Sequence, residues 1–313
     1  MKEIKINFVD FWPSFNKTNN YFYNLLVKKY IVLIDEKPDF LFYSCFGEEY
    51  LKFDCFRIFY TGENRRPDFS VCDYAFSFDY NNRKNHFRLP LYSLYIDHCD
   101  MLDQLQTIVN REEARRIWRT KSKFCCMVIS NPNCIERIEF FKNLSKVKLI
   151  DSGGAVLNNV GGRVADKFDF IKDYKFVISF ENKEQDGYTT EKIMEPIFKD
   201  CIPIYWGNRL IDKDFNAKRF IDYNKFKSEK DLIDEMLKID QNEELAIDII
   251  MQPTFSLDKL SHEEEHQEVL RILIKIIENH ENLFVRKLWR YILRYNIGYK
   301  KHKKRFLVKL KLV

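Results

Sequence analysis

The feature that most restricts the fold of this chain is an alternation of strand-length apolar runs with stretches of helical spacing. In the first half the apolar runs are Ile4–Val9, Phe40–Tyr43, Arg57–Tyr60 and Tyr74–Phe78. In the second half strands are expected at Phe124–Ile129, Val147–Ile150, Phe176–Phe180 and Ile202–Trp206, the last closed by Gly207. Helices are expected between them at Arg137–Leu144, Phe168–Tyr174 and Thr190–Phe198, with turn and helix-start residues at Ser130–Pro132. Short buried runs alternating with helices build βαβ units and parallel sheets. Two such blocks, divided near residue 115, imply two Rossmann-like domains with a cleft between them. The basic stretch Asn110–Ser122, with Arg111, Arg115, Arg116 and Arg119 at helical spacing, reads as the connector.

Composition narrows the class. With 313 residues and 45% hydrophobic content the chain has ample material for packed cores, which excludes disorder. The eight cysteines are irregularly spaced, with no C-x-x-C pair, and read as small buried hydrophobes in a reducing compartment. The N-terminus lacks the unbroken apolar stretch of a signal peptide, and no run of apolar residues is long enough for a spanning helix. The formal charge of +5 hides a cancellation. Eleven Lys and Arg fall between Arg286 and Lys311, with no acid after Glu281; the remaining 41 bases face 47 acids. The body is acidic and the end basic.

Residues 180–207, FENKEQDGYTTEKIMEPIFKDCIPIYWG, carry the most chemistry. A buried strand runs into a polar loop with Asp186 and Gly187, then Thr189 or Thr190 caps a helix whose first turn holds Glu191 and Lys192. Open parallel sheets bind ligands where strands end and helices begin, and a helix N-terminus offers unpaired N–H groups to a phosphate. Lys192 adds a full positive charge, and Glu191 a bidentate acceptor suited to a sugar diol. On spacing alone, Glu191 serves the helix dipole equally well, and Lys192 could be solvated.

The run FENKEQDGYTTEK followed by IPIYWG resembles the signature of the α-1,3/4-fucosyltransferases, glycosyltransferase family 10. YTGEN at Tyr60–Asn64, followed by Arg66-Pro67-Asp68-Phe69, is similar to the N-terminal-domain motif of the bacterial members. SNPNCIER at Ser130–Arg137 resembles the start of their donor-binding domain, and DKDFN at Asp212–Asn216 echoes a segment that follows the signature. The resemblance runs from about residue 40 to 225 in the right order. It implies an α/β GT-B fold: residues 1–115 as a Rossmann-like acceptor domain, 116–283 as the GDP-fucose-binding domain, and 284–313 as a basic amphipathic tail. It further implies that Arg137 and Lys192 hold the diphosphate and that Glu191 hydrogen-bonds the ribose. Asn182 and Tyr188 would line the nucleotide and phosphate pocket, and Glu63 would be the general base. No metal site and no cofactor are expected, a divalent cation having at most a stimulatory role. The implied reaction is inverting transfer of L-fucose from GDP-fucose to a GlcNAc or Glc hydroxyl of a Gal-GlcNAc-type glycan. The linkage would be α-1,3 or α-1,4, as in Lewis-type surface polysaccharide. Without the resemblance, Glu63 is a glutamate in a turn and Arg137 suits an exposed helix face.

HEEEH at His262–His266 satisfies the H-E-x-x-H zinc-peptidase pattern. Ser261 with Glu264 forms a capping box, however, and the three adjacent glutamates are expected to face solvent. Asp212-Lys213-Asp214 is a D-x-D string of the metal-binding sort, set outside the expected pocket. In the tail, Val285, Leu288, Trp289, Ile292 and Leu293 recur at helical spacing opposite Arg286, Lys287, Arg290 and Arg294. That pattern suits an anionic membrane surface, so the expected location is cytoplasmic, on the inner face of the membrane. A zinc peptidase and a non-enzymatic nucleotide-binding peripheral membrane protein stand as alternatives. No nucleic-acid partner is expected.

Overall fold

The computed structural model describes residues 1–279. The expected basic tail, 284–313, lies outside them. The chain divides into two compact units, one of Met1–Ser77, Asn81–Leu89 and the chain from Ser261, the other of Phe78–Tyr80 and Pro90–Leu260.

In the first unit six strands form one parallel sheet: β1 (Lys2–Val9), β2 (Tyr30–Ile34), β3 (Phe40–Tyr43), β4 (Phe56–Tyr60), β5 (Tyr74–Ser77) and β6 (His86–Arg88). Their order is β2-β1-β3-β4-β5-β6, so the chain reverses direction across the sheet at β1. Helix α1 (Tyr21–Leu26) inserts Phe22 among Phe42, Phe76 and Tyr60, at ring separations of 5.1, 5.3 and 5.4 Å. Tilted and edge-on aromatic contacts of this kind add to the burial of their area.

The second unit opens with α2 (Leu91–His98), α3 (Leu102–Gln106) and α4 (Arg111–Thr120). It continues through β7 (Lys123–Met127), α5 (Ile135–Ser145), β8 (Asp151–Ser152), α6 (Lys167–Ile171), β9 (Tyr174–Phe180), α7 (Glu191–Phe198) and β10 (Ile202–Trp206). It closes with β11 (Ile221–Asp222), α8 (Glu229–Gln241) and α9 (Glu243–Ile250). The strands are parallel in the order β11-β10-β9-β7-β8. The chain steps from β7 to β8 on one side and returns to β9 on the other. That reversal opens a crevice above the carboxyl ends of β7 and β9, where doubly wound sheets bind ligands.

Both blocks are thus Rossmann-like, but they meet elsewhere than residue 115. Tyr92 and Ile96 of α2, Met101 at the start of α3 and Leu105 within it share a core with Ile193, Met194 and Ile197 of α7, which assigns both helices to the second unit. The supposed connector is α4, capped by Asn110, whose Arg111, Arg115 and Arg119 pair with Glu243, Glu244 and Asp248 of α9. Helix α10 (His262–Asn279) returns to the first unit.

Several element expectations change. The strand expected at Val147–Ile150 is replaced by β8, and Val147 and Leu149 are 54% and 81% exposed. The helix expected to reach Tyr174 stops at Ile171, because Tyr174 already begins β9. Strands β2, β6 and β11 are additions to the sequence reading. All eight cysteines are free. Among the described residues no helix is long and apolar enough to cross a membrane.

Candidate active site

The site is assembled where β9 ends. Residues 176–180 are buried, and pairing with β10 continues one residue past the strand, with Glu181 N donating to the Trp206 carbonyl at 2.8 Å. The loop that follows must turn sharply. Gly187 has φ +83°, and a Cβ there would lie 2.3 Å from the Phe78 carbonyl oxygen, so only glycine fits. The buried Asn208, just past β10, fixes this loop: its Oδ1 accepts from Gly187 N at 2.8 Å and its Nδ2 donates to Thr189 Oγ1 at 2.9 Å.

Thr190 caps α7 as the sequence implied, with its hydroxyl oxygen facing Lys192 N at a long 3.5 Å. The stronger constraint comes from Glu181, which is fully buried. Its Oε1 accepts from Thr190 N at 2.8 Å, and its two oxygens lie 3.0 and 2.8 Å from the Thr190 hydroxyl. Lys192 Nζ donates to Thr190 Oγ1 at 2.9 Å and to Glu191 Oε1 at 3.1 Å, and lies 3.4 Å from Glu181 Oε2. Burial works against the charge on Lys192, but the carboxylates of Glu181 and Glu191 outweigh it and hold the ammonium firmly charged. At Glu181 burial wins and raises the carboxyl despite Lys192. At Glu191 burial pushes upward, but Lys192 and Lys167 together bring it below the usual carboxylate range.

Arg137, in the first turn of α5, has no exposed surface at all. That removes the alternative of a solvated helix residue. Its guanidinium bridges the ends of β7 and β9, donating to the carbonyls of Phe180 at 2.8 Å and Asn131 at 2.9 Å and to Asn182 Oδ1 at 3.3 Å. All three acceptors are neutral, and its buried Nε has no partner. Burial lowers its proton affinity, partly countered by Cys134, Glu181 and Tyr188. Tyr188 is itself buried edge-on against Phe78 at 5.3 Å, and acts electrostatically on both Arg137 and Lys192. The crevice therefore gathers Arg137, Asn182, Tyr188, Glu191 and Lys192. Two cations and a helix N-terminus meet there, an arrangement suited to an anionic ligand.

Glu63 lies in the first unit, in the loop after β4, with its side chain exposed and its N–H donating to Thr61 Oγ1 at 3.0 Å. In the same unit a hollow of about 640 Å³ is lined by Cys45, Phe46, Gly47, Glu48, Glu49, Lys52 and Arg65. Asp10 shapes it by accepting from the backbone N–H groups of Glu49 and Tyr50 at 2.9 and 2.8 Å. The sequence reading had no expectation for this hollow.

The two histidines of the H-E-x-x-H string lie together on α10, their ring centroids 4.2 Å apart. The capping box at the start of α10 is present: Ser261 N donates to Glu264 Oε2 at 2.8 Å, and Glu264 N to Ser261 Oγ at 3.2 Å. The expectation that all three glutamates face solvent fails at Glu265, which is buried with His262, Val269 and Leu273 along one helix face. Asp214 of the D-x-D string is buried, accepting from the Tyr92 hydroxyl at 3.0 Å.

Glu181 and Asn208 are the site residues that the sequence reading passed over. A carboxylate directly after a strand whose last five residues are buried was the available signal for the first. The second could not be read locally as a site residue, since the Gly187 and Thr189 groups it holds lie on the far side of α7 in sequence.

Two family models match the chain. The N-terminal-domain model of α-(1,3)-fucosyltransferase FucT matches residues 6–95, and the C-terminal model of glycosyltransferase family 10 (fucosyltransferase) matches residues 118–249. The α-(1,3)-fucosyltransferase FucT of Helicobacter pylori is 31% identical over 85% of this chain and 64% of its own length. The chain thus spans just under two thirds of that relative. The human GDP-fucose protein O-fucosyltransferase 3 is 24% identical over 58% of this chain and 39% of its own length. A crystal structure of an α1,3-fucosyltransferase with GDP-fucose superposes with a TM-score of 0.75 at 26% identity, covering 90% of this chain and 92% of that one. The α/β, GT-B fold class expected from the sequence holds, and the chain belongs to glycosyltransferase family 10.

Proposed function

We propose that the protein transfers L-fucose from GDP-fucose to a hydroxyl of a Gal-GlcNAc-type glycan, with inversion, forming an α-1,3 or α-1,4 linkage. The observation that carries the reading is the buried Arg137 guanidinium, bonded only to neutral acceptors beside the charged Lys192. A buried cation without a counter-ion in direct contact is costly, and a diphosphate in the crevice would offset that cost. As the anomeric C–O bond breaks, negative charge builds on the departing GDP, and Arg137, Lys192 and the N-terminus of α7 are fixed in advance to stabilise it. Glu191 is assigned to the ribose hydroxyls, and Asn182 and Tyr188 to the phosphate and nucleotide walls. Glu63 is assigned as the base that takes the acceptor hydroxyl's proton as its oxygen attacks the anomeric carbon. Its place after a strand of the first unit and its exposed carboxylate support that role. The basic tail is assigned to an anionic membrane surface, which gives a cytoplasmic enzyme peripheral to the inner face.

The test is incubation with GDP-fucose and a panel of lactose, N-acetyllactosamine and lacto-N-biose, followed by linkage analysis, with a folded glycoprotein domain as an additional acceptor. Release of GDP with an α-1,3- or α-1,4-fucosylated glycan is expected. Transfer to the protein acceptor alone, or to none, would overturn the assignment.

A further inference from the structure

We propose that Glu181 is a positioning residue that sets the phosphate-binding end of α7 by holding the Lys192 ammonium through the Thr190 hydroxyl. The proposal rests on the diphosphate assignment above. The direction of the chain follows from donor and acceptor chemistry. Lys192 Nζ can only donate, so at 2.9 Å the Thr190 oxygen accepts from it, and the single hydroxyl proton of Thr190 goes to the Glu181 carboxylate. The same carboxylate takes the Thr190 backbone N–H at 2.8 Å, which fixes the residue from which α7 starts. Glu181 is thereby the sheet-anchored end of a relay that runs through Thr190 to the ammonium.

Two further observations set this carboxylate apart from an incidental buried acid. Glu181 is tied to β10 through its own N–H, so the relay is anchored to the sheet. Gly207, at the end of β10, leaves the room it occupies: a Cβ there would lie 2.6 Å from Glu181 Cγ. A buried carboxylate is expensive relative to a neutral residue of the same shape, and glutamine would keep an acceptor for the Thr190 N–H at lower cost. What glutamine cannot supply is the charge that draws Lys192 into place.

The test compares Glu181→Gln, Lys192→Ala and the double variant with wild type in steady-state GDP-fucose turnover, with thermal melts as a control. Glu181→Gln is expected to lower kcat by about tenfold to a hundredfold, with a smaller change in KM for GDP-fucose and an undiminished Tm. Because Glu181 acts through Lys192, adding Glu181→Gln to Lys192→Ala should cost no further kcat. Thr190→Val, which breaks the relay at its middle, should lower kcat in the same direction. It also provides the reading if Glu181→Gln does not fold. Wild-type kcat in Glu181→Gln or Thr190→Val, or losses that multiply in the double variant, would overturn the proposal. Wild-type kcat in Lys192→Ala would overturn both it and the diphosphate assignment.

Discussion

Arg137 and Lys192 bring positive charge to the same crevice by opposite means. Lys192 is held charged by two carboxylates, whereas Arg137 stays charged because guanidinium keeps its proton even where burial works against it. The first suits a flexible ammonium that must be aimed, the second a planar fork fixed by carbonyls. Glu63 differs from both in being exposed, and its role depends on taking up a proton. Glu63→Gln is expected to abolish fucose transfer while leaving GDP affinity unchanged, as measured by turnover and isothermal titration; near-normal turnover would remove it as the base. Arg137, Lys192 and Glu63 were singled out by the resemblance of their motifs to the family; spacing alone left Glu63 a glutamate in a turn and Arg137 a residue of an exposed helix face. Glu181 was not singled out, although it lies inside the same Phe-Glu-Asn run. Its carboxylate meets Thr190 nine positions further along the chain, and no local pattern encodes that contact.

At the scale of elements, the strands buried on both faces were read well. Residues 202–206 are buried throughout and β10 matches the expectation residue for residue. The reading failed at sheet edges. β6 and β8 have three and two residues, pair on one side only, and carry too few apolar positions to leave a period. β2 was hidden because it and α1 lie in one apolar stretch broken only by polar residues such as Lys28 and Lys29. One edge contact has a pH consequence. His86 of β6 lies with Nε2 2.9 Å from Ser77 Oγ of β5, and burial, with repulsion from Arg88, lowers its pKa from 6.5 to about 4. The unfolded chain therefore binds the proton first. Stability from this site is complete above about pH 6.5 and is lost progressively as pH falls toward 4. Urea midpoints at pH 7 and pH 5 should show a smaller acid-induced drop in His86→Gln than in wild type; equal drops would exclude His86 as a contributor.

At the scale of the whole molecule, the +5 charge is the sum of an acidic body and a basic end, and the proposed membrane role falls to that end. Near an anionic surface each Lys or Arg contributes about 1 kcal/mol. Truncation after residue 284 is therefore expected to release the protein from vesicles containing anionic lipid while transfer activity persists; unchanged vesicle binding would contradict that role. The division into two Rossmann-like units was legible, but its position was not. The apolar faces of α2 and α3 declare themselves only once α7 is there to receive them. Within the second unit the proposed chemistry depends on Arg137 and Lys192 binding the donor's diphosphate. The most direct measurement is kcat for GDP-fucose turnover in Arg137→Ala and Lys192→Ala, each folded as judged by its melt. A loss on the order of 10²–10³ in each is expected for removal of one charge stabilising the departing GDP; wild-type kcat in either would contradict the assignment.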